Sequence, residues 1–230
     1  RQFRILETLD EKTFKEIHAK DFSYLNDSRL PEVPSFFSFQ QEDHNNKQHD
    51  NRTKIIKIAV FPGSVWATKK WTSTGFSELS ELFIQRGYEV HLLGGPTEKN
   101  LCEEIAEKAK GVKVLAGLFS IAETIKQIQG YDLVISNDSA PTHMAAYQNT
   151  PVITLFGPTT LNQGFRPWSN QARVVENTSL NCRPCGKHGH QTCPLGHHNC
   201  MKLIEAQQVF HHAEELLKRL SSKLITTHNN

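Results

Sequence analysis

The chain has 230 residues, of which 37% are apolar and 22% charged, which suits one large globular domain or a domain with an appendage. No run of uncharged apolar residues approaches bilayer-spanning length, and Arg1-Gln2-Phe3-Arg4 opens no apolar core of signal-peptide length. The net charge of +2 is too small to imply a nucleic-acid partner. The chain starts on Arg1 rather than Met, and the expectation is a fragment of a longer protein.

Residues 3–24 place Phe3, Leu6, Leu9, Phe14, Ile17 and Phe22 at loosely helical spacing. Leu30 to Phe39 carries Pro31 and Pro34 and reads as extended. Gln40 to Thr53 holds no apolar residue, so it cannot bury itself and reads as a linker. A boundary is expected there, with residues 1–53 as one part and 54–230 as the main domain.

After Lys54 strands and helices alternate. Ile55 to Phe61 reads as a strand. Gly75 to Arg86 reads as an amphipathic helix with Phe76, Leu79, Leu82 and Phe83 on one face. Tyr88 to Leu93 is the next strand, and Glu98 to Lys110 a helix with Leu101, Cys102, Ile105 and Ala109 inward. Val112 to Leu115 is a short strand. Ser120 with Glu123 three residues on is a capping box that starts a helix. Tyr131 to Ser136, Pro151 to Phe156 and Ala172 to Glu176 complete the strands, and Ile204 to Leu224 is a closing helix. Continuous apolar strands alternating with helices predict an α/β fold, a doubly wound parallel sheet of Rossmann-like type.

In such sheets ligands bind beyond the strand ends. The first strand empties into Pro62 to Trp71, where Ser64 and Thr68 offer hydroxyls and Lys69 and Lys70 offer charge for phosphate. The spacing is not that of a Walker A loop, and a plain connecting loop fits the composition equally well. Glu98, after Gly94-Gly95, either complements the helix dipole or accepts hydrogen bonds from ribose hydroxyls. Asn137-Asp138-Ser139 and Ala140, followed by Met144 to Gln148 as a short helix, form a phosphate-site layout, because helix N-termini attract anions. The same residues could simply cap that helix, and His143 could be an ordinary helical histidine. Gly157, Thr159 and Thr160 end the fifth strand. Convergence of these strand ends on one sheet edge favours the floor of a nucleotide-sugar site.

Cys102 stands alone in a helical pattern and reads as a small buried hydrophobe. Cys182, Cys185, Cys193 and Cys200 crowd one segment together with His188, His190, His197 and His198. Four thiolates there could close a tetrahedral structural zinc site, or they could be reduced cysteines packed beside the last helix.

The segments PGSVWATKKW, LLGGPTE, NDSAPTH, TPVITLFGPT and CRPCGKHGHQTCPLGHHNCM, in that order, resemble glycosyltransferase family 9, the lipopolysaccharide heptosyltransferases, from about Lys54 onward. The last segment resembles a heptosyltransferase II-like subset. The resemblance implies a GT-B fold, of which this chain is the C-terminal, donor-binding half preceded by a remnant of the acceptor domain. It implies ADP-heptose as donor and the lipopolysaccharide core on lipid A as acceptor. It also implies a cytoplasmic enzyme with peripheral inner-membrane contact and no cofactor needed for catalysis. Carried over, Lys69 contacts the diphosphate with Ser64 and Thr68 nearby, Glu98 holds the ribose and Asp138 holds sugar hydroxyls. The Ser139 and Ala140 amides, with His143, sit at the diphosphate. Two positions depart from the family pattern, which commonly has Pro where Thr72 stands and Gly where Ala140 stands. The carboxylate base belongs to the family's N-terminal domain, and no residue here matches it. Two other readings compete: a non-catalytic nucleotide-sugar-binding module, and a zinc-stabilised interaction protein built on the cysteines.

Overall fold

The structure is a computed structural model that describes residues 55–227. The helical spacing of residues 3–24, the extended stretch of 30–39, the polar stretch of 40–53 and the boundary after it lie outside the described residues. Within them the chain runs β1 (Lys57–Phe61), a 3-10 turn (Ala67–Lys69), α1 (Ser73–Gln85), β2 (Glu89–Leu92) and a second 3-10 turn (Pro96–Glu98). It continues with α2 (Lys99–Lys108), β3 (Lys113–Val114), α3 (Ile121–Ile128), β4 (Leu133–Asn137), α4 (Ala140–Tyr147) and β5 (Val152–Phe156). A third 3-10 turn (Leu161–Gln163), β6 (Ala172–Glu176), α5 (Asn199–Lys202) and α6 (Ala206–Thr227) complete it.

The six strands form one parallel sheet in the order β3-β2-β1-β4-β5-β6. Strand side chains alternate between the faces. Ile58, Val60, Leu133, Ile135, Ile153 and Leu155 pack in one core with Phe76, Leu79 and Phe83 of α1, Cys102 and Ile105 of α2, and Val209, Ala213 and Leu216 of α6. Ala59, Phe61, Val134 and Val152 pack on the opposite face with Ile128 of α3 and Ala145 of α4. Helices on both faces explain why β4 and β5 are buried at every residue. The doubly wound parallel fold expected from the sequence is the fold observed.

The departures are local. The helix expected from Met144 starts at Ala140 instead, with Ser139 as its cap and a proline in its first positions. Proline's fixed φ suits a first helical turn, so Pro141 draws the polar turn into the helix. The expected start of α2 at Glu98 is a separate 3-10 turn. The short α5 has no counterpart in the apolar pattern. Ser120 does cap α3: its hydroxyl accepts from the Glu123 N–H at 3.3 Å, and the Glu123 carboxylate accepts from the Ser120 N–H at 2.8 Å. Cys102 is fully buried, and burial pushes its thiol up to about 12. No helix among the described residues is long and apolar enough to cross a membrane.

Candidate functional site

The sheet reverses its strand order between β1 and β4, and their C-terminal ends lie side by side, with Phe61 opposite Ser136. Loops leaving such strands in opposite directions open a crevice. Asn137, fully buried at the end of β4, joins the two loops. Its side-chain amide donates to the carbonyls of Pro62 at 2.8 Å and Gly63 at 3.2 Å, and its oxygen accepts from the Trp71 N–H at 3.0 Å. The β1 loop is thereby fixed against the turn that starts α4.

Lys69 and Asp138 meet at this junction. Lys69 Nζ donates to Asp138 Oδ2 at 2.6 Å, and the two residues are only 5% and 3% exposed. A buried ammonium requires such a counter-charge. Thr159, at the end of β5, donates to the same carboxylate oxygen at 2.6 Å. Phe165 lies beneath the ammonium, 4.5 Å from Nζ to the ring centroid, a cation–π contact. Phe165 was not among the residues expected at the site, and Thr159 was expected only as one of the hydroxyls at the fifth strand end. A hydroxyl after Gly157 was visible in the sequence, but nothing local linked it to Asp138 across 21 residues.

The remaining residues group around this pair. Ser139 caps α4, and Ala140 follows it in ordinary helical backbone. Among the described residues the non-glycine positive φ angles belong to Asn149 and His198, so the methyl at Ala140 introduces no strain. His143, on the first turns of α4, has its pKa lowered by burial. Asp138 works against that shift and Lys69 with it, so the ring is neutral near pH 7 and within electrostatic reach of both. Glu98 folds back over the ends of β1 and β2. Its carboxylate accepts from the Gly95 N–H at 2.7 Å and from the Thr97 hydroxyl at 3.1 Å. A Cβ on Gly63 would stand 2.4 Å from Glu98 Cγ, so glycine there makes room for this side chain. Ser64 is buried in the β1 loop. Thr72, where the family pattern has Pro, caps α1 by accepting from the Gly75 N–H at 3.0 Å.

Thr68 is differently disposed. Its hydroxyl donates to the His190 carbonyl at 2.7 Å and accepts from the His190 N–H at 2.8 Å. It holds the Cys/His-rich segment rather than facing the crevice. That segment is anchored further by Arg183, whose guanidinium donates to the carbonyls of Gly157, Asn177 and, at 2.8 Å, Thr159, and pairs with Glu176. Burial and the charges of Cys193 and Cys182 push the Cys185 thiol up. Burial does the same at Cys200, opposed by Arg183 and reinforced by Cys193, Cys182 and Cys185. At Cys193 burial is outweighed by the backbone N–H groups of His198, Leu195, Gly196 and His197, and the net shift is downward. The four thiols thus share one neighbourhood, and all are free. Among the described residues no three His, Cys, Asp or Glu side chains are grouped as a metal site.

A groove of about 620 Å³ between α1 and the start of α6 is lined by Glu78, Glu81 and Glu205 with Lys202. Its carboxylates have the wrong sign for a phosphate ligand.

The model of glycosyltransferase family 9 (heptosyltransferase) matches residues 14–196. The match reaches ahead of Lys54, where the resemblance in the sequence begins. The chain is 34% identical over 174 residues to lipooligosaccharide heptosyltransferase 2 of Campylobacter jejuni, covering 73% of this chain and 52% of that protein. The structure of the Escherichia coli ADP-heptose lipopolysaccharide heptosyltransferase II is similar with a TM-score of 0.60 at 25% identity, covering 73% of this chain and 48% of that one. The Escherichia coli heptosyltransferase WaaC with ADP-2-deoxy-2-fluoro heptose shares the fold, with a TM-score of 0.53 at 24% identity over 75% of this chain and 46% of that one. The chain therefore spans about half the length of the relatives it matches. By the family match, over most of its length, this chain belongs to glycosyltransferase family 9, the heptosyltransferases.

Proposed function

We propose that this chain is the donor-binding half of a heptosyltransferase that moves a heptose from ADP-heptose to the inner core of lipopolysaccharide. The observation that carries this reading is the buried Lys69–Asp138 pair at the sheet's switch point, beside the start of α4. A diphosphate entering there meets an ammonium and the unpaired N–H groups of a helix N-terminus. Lys69 exchanges part of its contact with Asp138 for the diphosphate, and Asp138, held by Thr159, accepts from heptose hydroxyls. Glu98 takes the ribose. The Ser139 and Ala140 amides and neutral His143 donate to phosphate oxygens.

In an inverting transfer an acceptor hydroxyl attacks the anomeric carbon as ADP leaves. Negative charge grows on the diphosphate, and donors already aimed at it stabilise the transition state more than the ground state. The attacking hydroxyl also needs a carboxylate base, which this reading assigns outside the chain. The heptose donor is supported by relatives such as the C. jejuni heptosyltransferase and by the ligand of the WaaC structure. A cytoplasmic enzyme working at the inner-membrane surface follows from the acceptor. A structural metal held by Cys182, Cys185, Cys193 and Cys200 would cross-link a segment too polar to have its own core. Metal analysis of the purified chain decides that point.

Calorimetric titration with ADP-heptose, ADP and UDP tests the donor reading. The adenine compounds should bind saturably and more tightly than UDP, and Lys69→Ala should weaken ADP by about tenfold or more, as loss of a charge-assisted contact does. A folded chain that ignores ADP, or that prefers UDP, contradicts the proposal. Measurable heptose transfer by the chain alone contradicts the assignment of the base elsewhere.

A further inference from the structure

Thr68 precedes Lys69, and all of its polar groups are engaged by one segment. Its N–H and its hydroxyl both donate to the His190 carbonyl, at 3.0 and 2.7 Å, and the hydroxyl accepts from the His190 N–H at 2.8 Å. The ring of His198 meets the Thr68 carbonyl at 2.7 Å. A carbonyl can only accept, so His198 Nε2 carries the proton. Neighbouring residues are gripped too. The Gln191 side chain accepts from the Ala67 N–H at 3.2 Å and donates to the Val65 carbonyl at 3.0 Å. Trp66 stacks on His188 with centroids 6.2 Å apart. Gly189, at φ +81, lies so close that a Cβ would come within 2.9 Å of the Thr68 hydroxyl.

These bonds are not needed to attach the segment to the sheet. Arg183 already ties it to Gly157, Thr159, Asn177 and Glu176, and the Cys185 N–H bonds the Pro158 carbonyl at 2.6 Å. The 3-10 turn Ala67–Lys69, by contrast, is too short to hold its own orientation. The contacts from 188–198 hold this turn between the two points, Gly63 and Trp71, where Asn137 ties the loop down.

We propose that Thr68 and His198 are positioning residues, through which the Cys/His-rich segment aims Lys69 at the diphosphate. This rests on the donor-site reading above. The segment is then a brace for phosphate binding, and its contribution is specific to ligands that carry the second phosphate.

The test uses ADP and AMP as probes of the whole chain, by calorimetry. Thr68→Val keeps the shape and removes the hydroxyl, while Thr68→Ser keeps the hydroxyl. His198→Asn keeps a residue type that tolerates left-handed backbone, required by its φ of 54°, and removes the ring. Thr68→Val and His198→Asn should weaken ADP about tenfold while AMP stays within about twofold, and Thr68→Ser should hold ADP within about threefold of the parent. Damage to packing alone would lower ADP and AMP together. A Thr68→Val chain that binds ADP like the parent, or that loses both ligands equally, overturns the proposal. Lys69→Ala separates the two layers. If it keeps the parent's preference for ADP over AMP, the donor-site reading falls. If it loses that preference and Thr68→Val does not, only the positioning role falls.

Discussion

The side chains of Phe83 and Arg183 are both buried, yet they are held by different forces. Phe83 is fully buried in α1, among β-strand side chains and residues of α6, with its ring 5.5 Å from that of Phe210. Its neighbours are interchangeable hydrophobes, and the attraction is non-directional. Arg183 lies in a segment without a strand or a long helix, and it is held by carbonyls of three residues and one carboxylate. Those bonds are directional, and each fails if its partner moves. The sheet supplies the stability, and the 182–200 segment supplies the aim of the loops that meet at the crevice.

The two regions should therefore fail differently. Phe83→Ala should destabilise the whole domain by about 3–5 kcal/mol, read as a shifted urea midpoint by every probe at once. Arg183→Ala leaves buried carbonyls without a donor and should cost roughly 2–3 kcal/mol. Its signature should be local: faster amide exchange across 182–200, unchanged exchange in β1, β4 and β5, and weaker ADP binding. Uniform loss of protection through the sheet would remove the distinction between the regions. Glu89 provides the smallest effect, far from the crevice loops. Hydrogen bonds from Lys113 and His91 hold its carboxyl down at about 2. A depressed folded pKa contributes stability above the ordinary carboxylate range, and that contribution is lost as pH falls through the folded value of about 2. Glu89→Gln should then cost on the order of 1 kcal/mol at pH 7 and only a small part of that at pH 2, without changing ADP affinity. An equal cost at both pH values would refute the ionic origin.

The same division marks what could be read in advance. β1, β4 and β5 are largely apolar runs, β2 alternates Val90 and Leu92 with polar residues, and α1 and α6 repeat apolar residues at helical spacing, so local pattern specifies them. Lys69 and Asp138 could be nominated because both leave strand ends, and strand ends of a parallel sheet share an edge. The bond between them was not legible, nor were the Thr159 bond to Asp138 and the Phe165 contact, because side-chain direction depends on packing between distant loops. Thr68 shows the limit most clearly. Its hydroxyl, expected near the diphosphate, is taken by His190 from 122 residues further along the chain. A loop organised by backbone carbonyls leaves no periodic signature, since any residue carries the same carbonyl.

The most direct measurement is a structure of the chain with ADP bound. The account predicts the diphosphate between Lys69 Nζ and the first turn of α4 at Ser139 and Ala140, with the ribose at Glu98. ADP in the acidic groove between α1 and α6, or a diphosphate that leaves the Lys69–Asp138 pair untouched, would contradict it.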